Sequence, residues 1–522
     1  MKGFTWIDMA ILIVYLAAVL FAGLYFSKKE MKGKEFFRGD GTIPWWVTSV
    51  SIFATLLSPI SFLSLAGNSY GGTWFLWFAQ LGMLVAIPIT IRFFLPLYSH
   101  LDIDTAYEYL QIRFNSKGLR ILGAVMFIVY QIGRMSIIMY LPSMVLAKLT
   151  NIPISVLIIV MGVIAIIYSY TGGLKSVLWT DFIQGSVLLI GVTFALIFLF
   201  AKINGGAGAV FDTMFNEGKF LAPDEKWFDP VFLRSSVFIV LFGAGLNTCS
   251  SYVSSQDIVQ RFTTTTDMKQ LTKMTLGNGV LSIFIATAFY LIGSGLYVYY
   301  NQQPQLLAEM SNEVIKQDQI FAYFIAYALP VGVTGILLAA IYAASQSTLS
   351  TGLNSVATSW VLDIQAIVSK KEIPMKRQTK IAQYVSLGVG IASIVVAMIL
   401  AESDIKSAYE WFNAFMGLVL GVLGGTFALG AFTKKATNVG AYVAFAVAAV
   451  LIVIIKYNPF KVAFFADISS WAYSLISISV SVVVGLIVSA IHRKVKGITE
   501  EAPEGSTVYT ARIKKTEEAD KA

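Results

Sequence analysis

Apolar residues run through this chain in long stretches divided by short polar ones, a pattern that predicts helices crossing a membrane. Thirteen stretches qualify, near 5–26, 44–69, 72–98, 119–147, 153–171, 180–201, 232–255, 274–299, 320–352, 380–400, 408–430, 438–456 and 468–491. A helix needs about 20 apolar residues to span a bilayer core of roughly 30 Å. The predicted fold class is therefore an all-α polytopic membrane protein with the lipid bilayer as its solvent.

The polar loops predict the orientation, because lysine and arginine accumulate on the cytoplasmic side. The first loop holds Lys28, Lys29, Lys32, Lys34 and Arg38. Alternate loops hold Arg113, Lys117 and Arg120, then Lys175, then Arg261, Lys269 and Lys273. Further along come Lys370, Lys371, Lys376, Arg377 and Lys380, then Lys434 and Lys435, then Arg493, Lys494 and Lys496. On the other side, loop 202–231 carries five acids against three lysines. This alternation predicts an outside N-terminus and an inside C-terminus. The chain reads as one transmembrane domain, 1–496, followed by a charged tail, 497–522, expected to be disordered.

Composition agrees and narrows the chemistry. The 522 residues are 57% apolar and 13% charged, with a mean hydropathy of +0.72, against roughly 25% charged in a soluble domain. The net charge of +8 reflects topology, so no nucleic-acid partner is expected. One cysteine, Cys249, and two distant histidines, His100 and His492, exclude a disulfide framework and a Cys/His metal site. No Ser-His-Asp set or nucleotide-binding loop is visible, which argues against an enzyme.

Polar groups inside the apolar runs carry the functional signal. In FATLLSPISFLSL, Thr55, Ser58 and Ser61 bracket Pro59, which removes an amide and frees carbonyls that could bind a cation. Five runs later, GAGLNTCSS at 243–251 is a second polar interruption. Matched interruptions in two halves mark binding sites in transporters, although each alone could be an ordinary kink. In ASQSTLSTGLNS, positions 347, 350, 351 and 354 share a helical face of hydroxyl and amide groups. Such oxygens suit a hard cation, or interhelical hydrogen bonds. Arg134 lies deep inside a run, where a lone charge costs at least about 2.5–3.5 kcal/mol. No acidic residue obviously shares its depth, so a substrate carboxylate is a candidate partner, with a structural ion pair as the alternative. Asp181 stands near a predicted helix start, where a carboxylate is usually a cap. Gly417, Gly421 and Gly425 predict close helix packing.

The stretches FATLLSPISF, AYEYLQIRF, YSYTGGLKSVLWTDFIQG, SSQDIVQRF and AASQSTLSTGLNS resemble the sodium:solute symporter family over nearly the whole chain. That resemblance implies a LeuT-type fold of five-helix inverted repeats: an extra first helix at 5–26, repeats at 44–201 and 232–430, and two further helices at 438–491. Within the family the chain is most similar to bacterial sialic acid transporters, through the IGR containing Arg134 and the AYEYL segment. The implied activity is sodium-coupled uptake of sialic acid by alternating access across the cell membrane, by a functional monomer. The implied first sodium site uses Ala54, Leu57, Ala344, Ser347 and Thr348, and the second uses Asp181, Ser347, Ser350 and Thr351. The implied substrate ligands are Ser58, Ser61, Gln80 and Arg134, with Leu56 standing where the relatives suggest threonine. Proline, another carboxylate or a sugar are alternative solutes; proton coupling through Asp181 and a non-transporting sensor or channel are rival readings.

Overall fold

A computed structural model describes residues 5–27, 35–39, 41–150, 152–171, 173–231, 233–312, 317–369, 373–403 and 408–511. Among these residues all regular structure is helical. Ten helices among the described residues are long and apolar enough to cross a bilayer, and one bent pair makes an eleventh if counted as a single span. Two shorter apolar helices, Trp6–Ala22 and Ile154–Ile167, fall on two more of the expected runs. The loop residues Lys28, Lys29, Lys32, Lys34, Lys370 and Lys371 lie outside the described residues, as does the tail from 512.

The helices that build the site are, in chain order, α1 (Trp6–Ser27), α2 (Trp45–Leu56), α3 (Pro59–Gly71), α4 (Ala106–Phe114), α5 (Lys117–Thr150), α6 (Leu174–Lys202), α7 (Val237–Ser254), α8 (Gln256–Phe262), α9 (Met268–Asn301), α10 (Val333–Ser359), α11 (Ala408–Phe432) and α12 (Tyr473–Lys496). Helix α10 occupies the centre, packed against α1, α2, α5, α6 and α8. Every residue from Leu337 to Ser359 is buried, so its hydroxyls face protein on all sides rather than along one stripe. The expected run ended at 352, yet the helix continues to Ser359 and through a π-helical turn, Trp360–Gln365. Its start is fixed by α1: the Asp8 carboxylate accepts from the amides of Gly332 (2.8 Å) and Gly335 (2.9 Å), as an N-cap side chain does.

The first break is where the proline predicts it. Helices α2 and α3 meet at 64° across Leu57 and Ser58, with Pro59 at the first position of α3, where its missing amide is least costly. The second break differs from expectation. The helix runs unbroken through 243–251 and ends only at Ser254; Ser255 is extended (φ −93, ψ 115) before α8 begins. No proline acts there. The Ser255 hydroxyl turns onto the Asp257 carboxylate at 2.5 Å, which offers the chain a local alternative to the helical ladder.

Two further expectations change. Arg113, assigned to a loop, is buried and donates to the carbonyls of Gly430 (2.8 Å), Thr433 (2.5 Å) and Ala436 (3.3 Å), so it ties α4 to the end of α11. Part of the tail expected to be disordered is also packed. The Ala502 amide donates to Lys434 O (2.8 Å), the Val508 amide to Ala431 O (3.0 Å), and Ser506, Thr507 and Val508 are buried. Gly421 and Gly425 do face α12: a Cβ would stand 3.2 Å from Ser474 Cα and 2.7 Å from Ser481 Cβ.

Candidate functional site

Because proline has no amide, Thr55 O has no helical donor at position 59. That carbonyl is indeed taken by a cation, but a covalently tethered one: Arg134 Nη2 donates to it at 2.6 Å. The Thr348 hydroxyl approaches the same oxygen at 3.4 Å and donates to Ala344 O at 3.0 Å. The end of α2, with Ala54 in its last turn and Leu57 just beyond it, therefore meets α10 at Thr348, and the carbonyl end of a helix favours a positive charge. Ser347 points elsewhere, donating to Asp181 Oδ1 at 2.7 Å.

Asp181 is not a cap. It sits about two turns inside α6 and is fully buried. Its Oδ2 accepts from Ser51 (2.6 Å), Thr351 (3.2 Å) and Arg261 Nη2 (2.8 Å). Of the second expected sodium set, Asp181, Ser347 and Thr351 are thus joined, whereas Ser350 donates to Ser347 O at 3.0 Å. The approach of α6 to α2 requires Gly185, one turn past Asp181, where a Cβ would stand 2.8 Å from Val50 Cγ1 and 3.2 Å from Ala54 Cβ.

The unexpected occupant is Arg261. It belongs to no loop: it is fully buried, with Nη2 on Asp181 and on Thr351 Oγ1 (2.6 Å), Nε on Ser51 Oγ (3.0 Å) and Nη1 on Asp257 O. Arg134 likewise has an acidic partner at its own depth, contrary to expectation: Nη1 donates to Asp257 Oδ2. Both missing partners lie on α8, four residues apart, inside the SSQDIVQRF stretch whose boundary reading placed Arg261 outside the span. An acid and a base four residues apart in that stretch were the local signal for them. The four buried charges Arg134, Asp257, Arg261 and Asp181 cancel.

Beside this network lies a cavity of about 120 Å³. Of the residues implied as substrate ligands, Ser61, Gln80 and Arg134 line it, and so does Leu56; Ser58 is buried but is not part of the wall. The run 243–251, misread as a break, contributes Ala244, Asn247, Thr248 and Ser251, and Tyr130, Asn413 and Trp471 complete the enclosure. Hydroxyl, amide and guanidinium groups on an aromatic and aliphatic wall suit a small polar solute carrying an acid.

The Sodium:solute symporter family matches residues 36–448. The sodium/sialic acid symporter of Proteus mirabilis is 33% identical over 509 residues, 97% of this chain and 99% of that protein. That of Aliivibrio fischeri is 31% identical over 435 residues, 83% of this chain and 85% of its own length. The sodium/glucose cotransporter of Vibrio parahaemolyticus is 27% identical, covering 88% of this chain and 87% of its own. Among solved structures, the substrate-bound outward-open state of a Na⁺-coupled sialic acid symporter superposes with a TM-score of 0.84 at 31% identity, over 95% of this chain and 99% of that one. A nucleobase-cation-symport-1 family transporter shares the fold alone, with a TM-score of 0.56 at 11% identity over 87% of this chain and 93% of that one. The family match over residues 36–448 and the likeness of the Proteus mirabilis protein over 97% of this chain settle the lineage: this chain belongs to the sodium:solute symporter family and is a transporter, not an enzyme.

Proposed function

We propose that the chain is a multi-pass protein of the bacterial inner membrane that carries sialic acid inward together with two sodium ions. The observation that carries the reading is the placement of Arg134: a buried guanidinium on the cavity wall, bonded to the carbonyl that Pro59 frees. Ser61, Gln80 and Arg134 hold the substrate, with Asn247 and Thr248 also on the cavity wall, and Leu56 leaves the position of one hydrogen bond apolar. The first sodium binds among Ala54, Leu57, Ala344, Ser347 and Thr348; the second binds among Asp181, Ser347, Ser350 and Thr351. All these ligands are hard oxygens, as Na⁺ requires. Thirteen spans with the N-terminus outside and a working monomer complete the proposal.

Charge supports the stoichiometry. The resident ion pairs cancel, so the load sets the net charge. An anion entering against a negative interior loses about 2.3 kcal/mol per 100 mV, which a single Na⁺ only offsets. A tenfold sodium gradient then supplies about 1.4 kcal/mol, or roughly tenfold accumulation. A second Na⁺ raises the supply to about 5 kcal/mol, roughly several thousand-fold. The reversal potential of N-acetylneuraminate currents in proteoliposomes tests this. One net positive charge per substrate is expected, and zero net charge would overturn the two-ion stoichiometry.

A further inference from the structure

The two buried ion pairs share one short helix. Asp257 and Arg261 are the first and last members of an i, i+4 pair on α8, and each is spent on a different neighbour. Asp257 holds Arg134 of α5, the residue on the cavity wall. Arg261 holds Asp181 of α6, together with Thr351 of α10. The partners that the proposed cargo needs are therefore already engaged by the protein's own charges. Arg134 Nη1 is on Asp257, Nη2 is on Thr55 O, and the buried Nε has no partner. Asp181 and Thr351, two of the proposed sodium ligands, lie 2.8 and 2.6 Å from Arg261 Nη2.

We infer that sodium and substrate are coupled by partner exchange on α8: the substrate carboxylate replaces Asp257 on Arg134, sodium replaces Arg261 on Asp181, and the released Asp257 and Arg261 pair with each other. The proposal rests on the site assignment above and deepens it. The released groups are already in reach. Arg261 Nη1 donates to the backbone carbonyl of Asp257, so a side-chain rotation brings the guanidinium onto that residue's carboxylate, in the favourable order of acid before base along a helix.

Coupling follows from the balance of charges. Substrate alone leaves Asp257 buried with the Ser255 hydroxyl as its remaining side-chain partner. Sodium alone leaves Arg261 buried without a carboxylate. Each half-loaded state therefore leaves one of the four resident charges buried without a partner, which is costly, whereas in the empty and fully loaded states all four are paired. Sodium then tightens substrate binding and substrate tightens sodium binding by the same factor. Helix α8 also exchanges two bonds to α5 and α6 for one within itself, which frees it from both neighbours only when both cargoes are aboard.

Equilibrium binding of N-acetylneuraminate to the purified full chain across sodium concentrations tests the inference. The variants are D257N, R261Q and D257N/R261Q, with R134Q and D181N as controls. In the sodium-limited range, a tenfold rise in sodium is expected to tighten wild-type binding about hundredfold, as two linked ions require. In either single variant and in the double, the response falls to about tenfold, the share of the first sodium site. At low sodium the double variant binds substrate at least about tenfold more tightly than R261Q, because no carboxylate then competes for Arg134. A merely structural role would weaken the variants without changing the sodium response. A full hundredfold response in R261Q or in the double variant overturns partner exchange, as does a double variant no tighter than R261Q. Should R134Q bind like wild type, or D181N keep the full response, the site assignment itself fails and partner exchange falls with it.

Discussion

Replacing Asp181 with asparagine removes a charge at nearly constant shape, and the surrounding donors set the cost. The carboxylate accepts from Ser51 at 2.6 Å, Ser347 at 2.7 Å, Thr351 at 3.2 Å and Arg261 at 2.8 Å. Asparagine keeps one acceptor and turns the other into a donor that faces donors. Arg261, fully buried, loses its carboxylate. An orphaned charge of this kind costs about 3–5 kcal/mol, so D181N should lose that much unfolding free energy. D181N/R261Q removes the orphan and should return to within about 1–2 kcal/mol of wild type. The same change removes the carboxylate of the second proposed sodium site, so sialic acid accumulation should drop from several thousand-fold to about tenfold, for a tenfold sodium gradient and about 100 mV. Denaturation in mixed micelles reads the first quantity, and steady-state accumulation in proteoliposomes reads the second. Wild-type stability in D181N would refute the buried ion pair; unchanged accumulation would refute the second sodium.

Pro59→Ala supplies an amide that competes with Arg134 and Thr348 for Thr55 O; the apparent sodium affinity of uptake should weaken about tenfold, and an unchanged value rejects the role of the break. Asp8→Ala removes the acceptor of the Gly332 and Gly335 amides and should cost about 0.5–2 kcal/mol in the same denaturation assay. Gly185→Ala drives a methyl to 2.8 Å from Val50 Cγ1, costing about 1–3 kcal/mol of stability and weakening sodium binding as α6 is pushed from α2. Truncation after Gly497 strips the buried residues Ser506, Thr507 and Val508 from the end of α11; the unfolding midpoint should fall, and an unaltered midpoint would show that this packing contributes nothing.

The parts of the fold written in local chemistry were legible in the sequence. Runs of apolar residues located the helices, and Pro59 located the first break because a missing amide acts wherever it occurs. The hydroxyl run of α10 marked the centre, although the chain could not reveal that this helix is buried on every side. What stayed hidden depends on contacts between distant segments. Asp257 and Arg134 are 123 residues apart, and Asp181 and Arg261 are 80 apart, so neither pairing leaves a local trace. The second break was misplaced for the same kind of reason. The Gly-rich stretch 243–251 looked breakable but is held helical by its neighbours α11 and α12, while the quieter Ser255-Asp257 turn opens the chain. Arg113 and Arg261, counted as loop cations, turn out to be buried structural donors. The expected orientation is therefore carried by the remaining loop lysines and arginines.

Uptake of labelled N-acetylneuraminate into liposomes holding the purified chain is the decisive measurement of sodium-driven sialic acid transport. A sodium gradient alone should raise the internal concentration above the external one, and Arg134→Ala should abolish the rise. Equal uptake from a potassium or proton gradient in place of sodium would show that sodium is not the coupling ion.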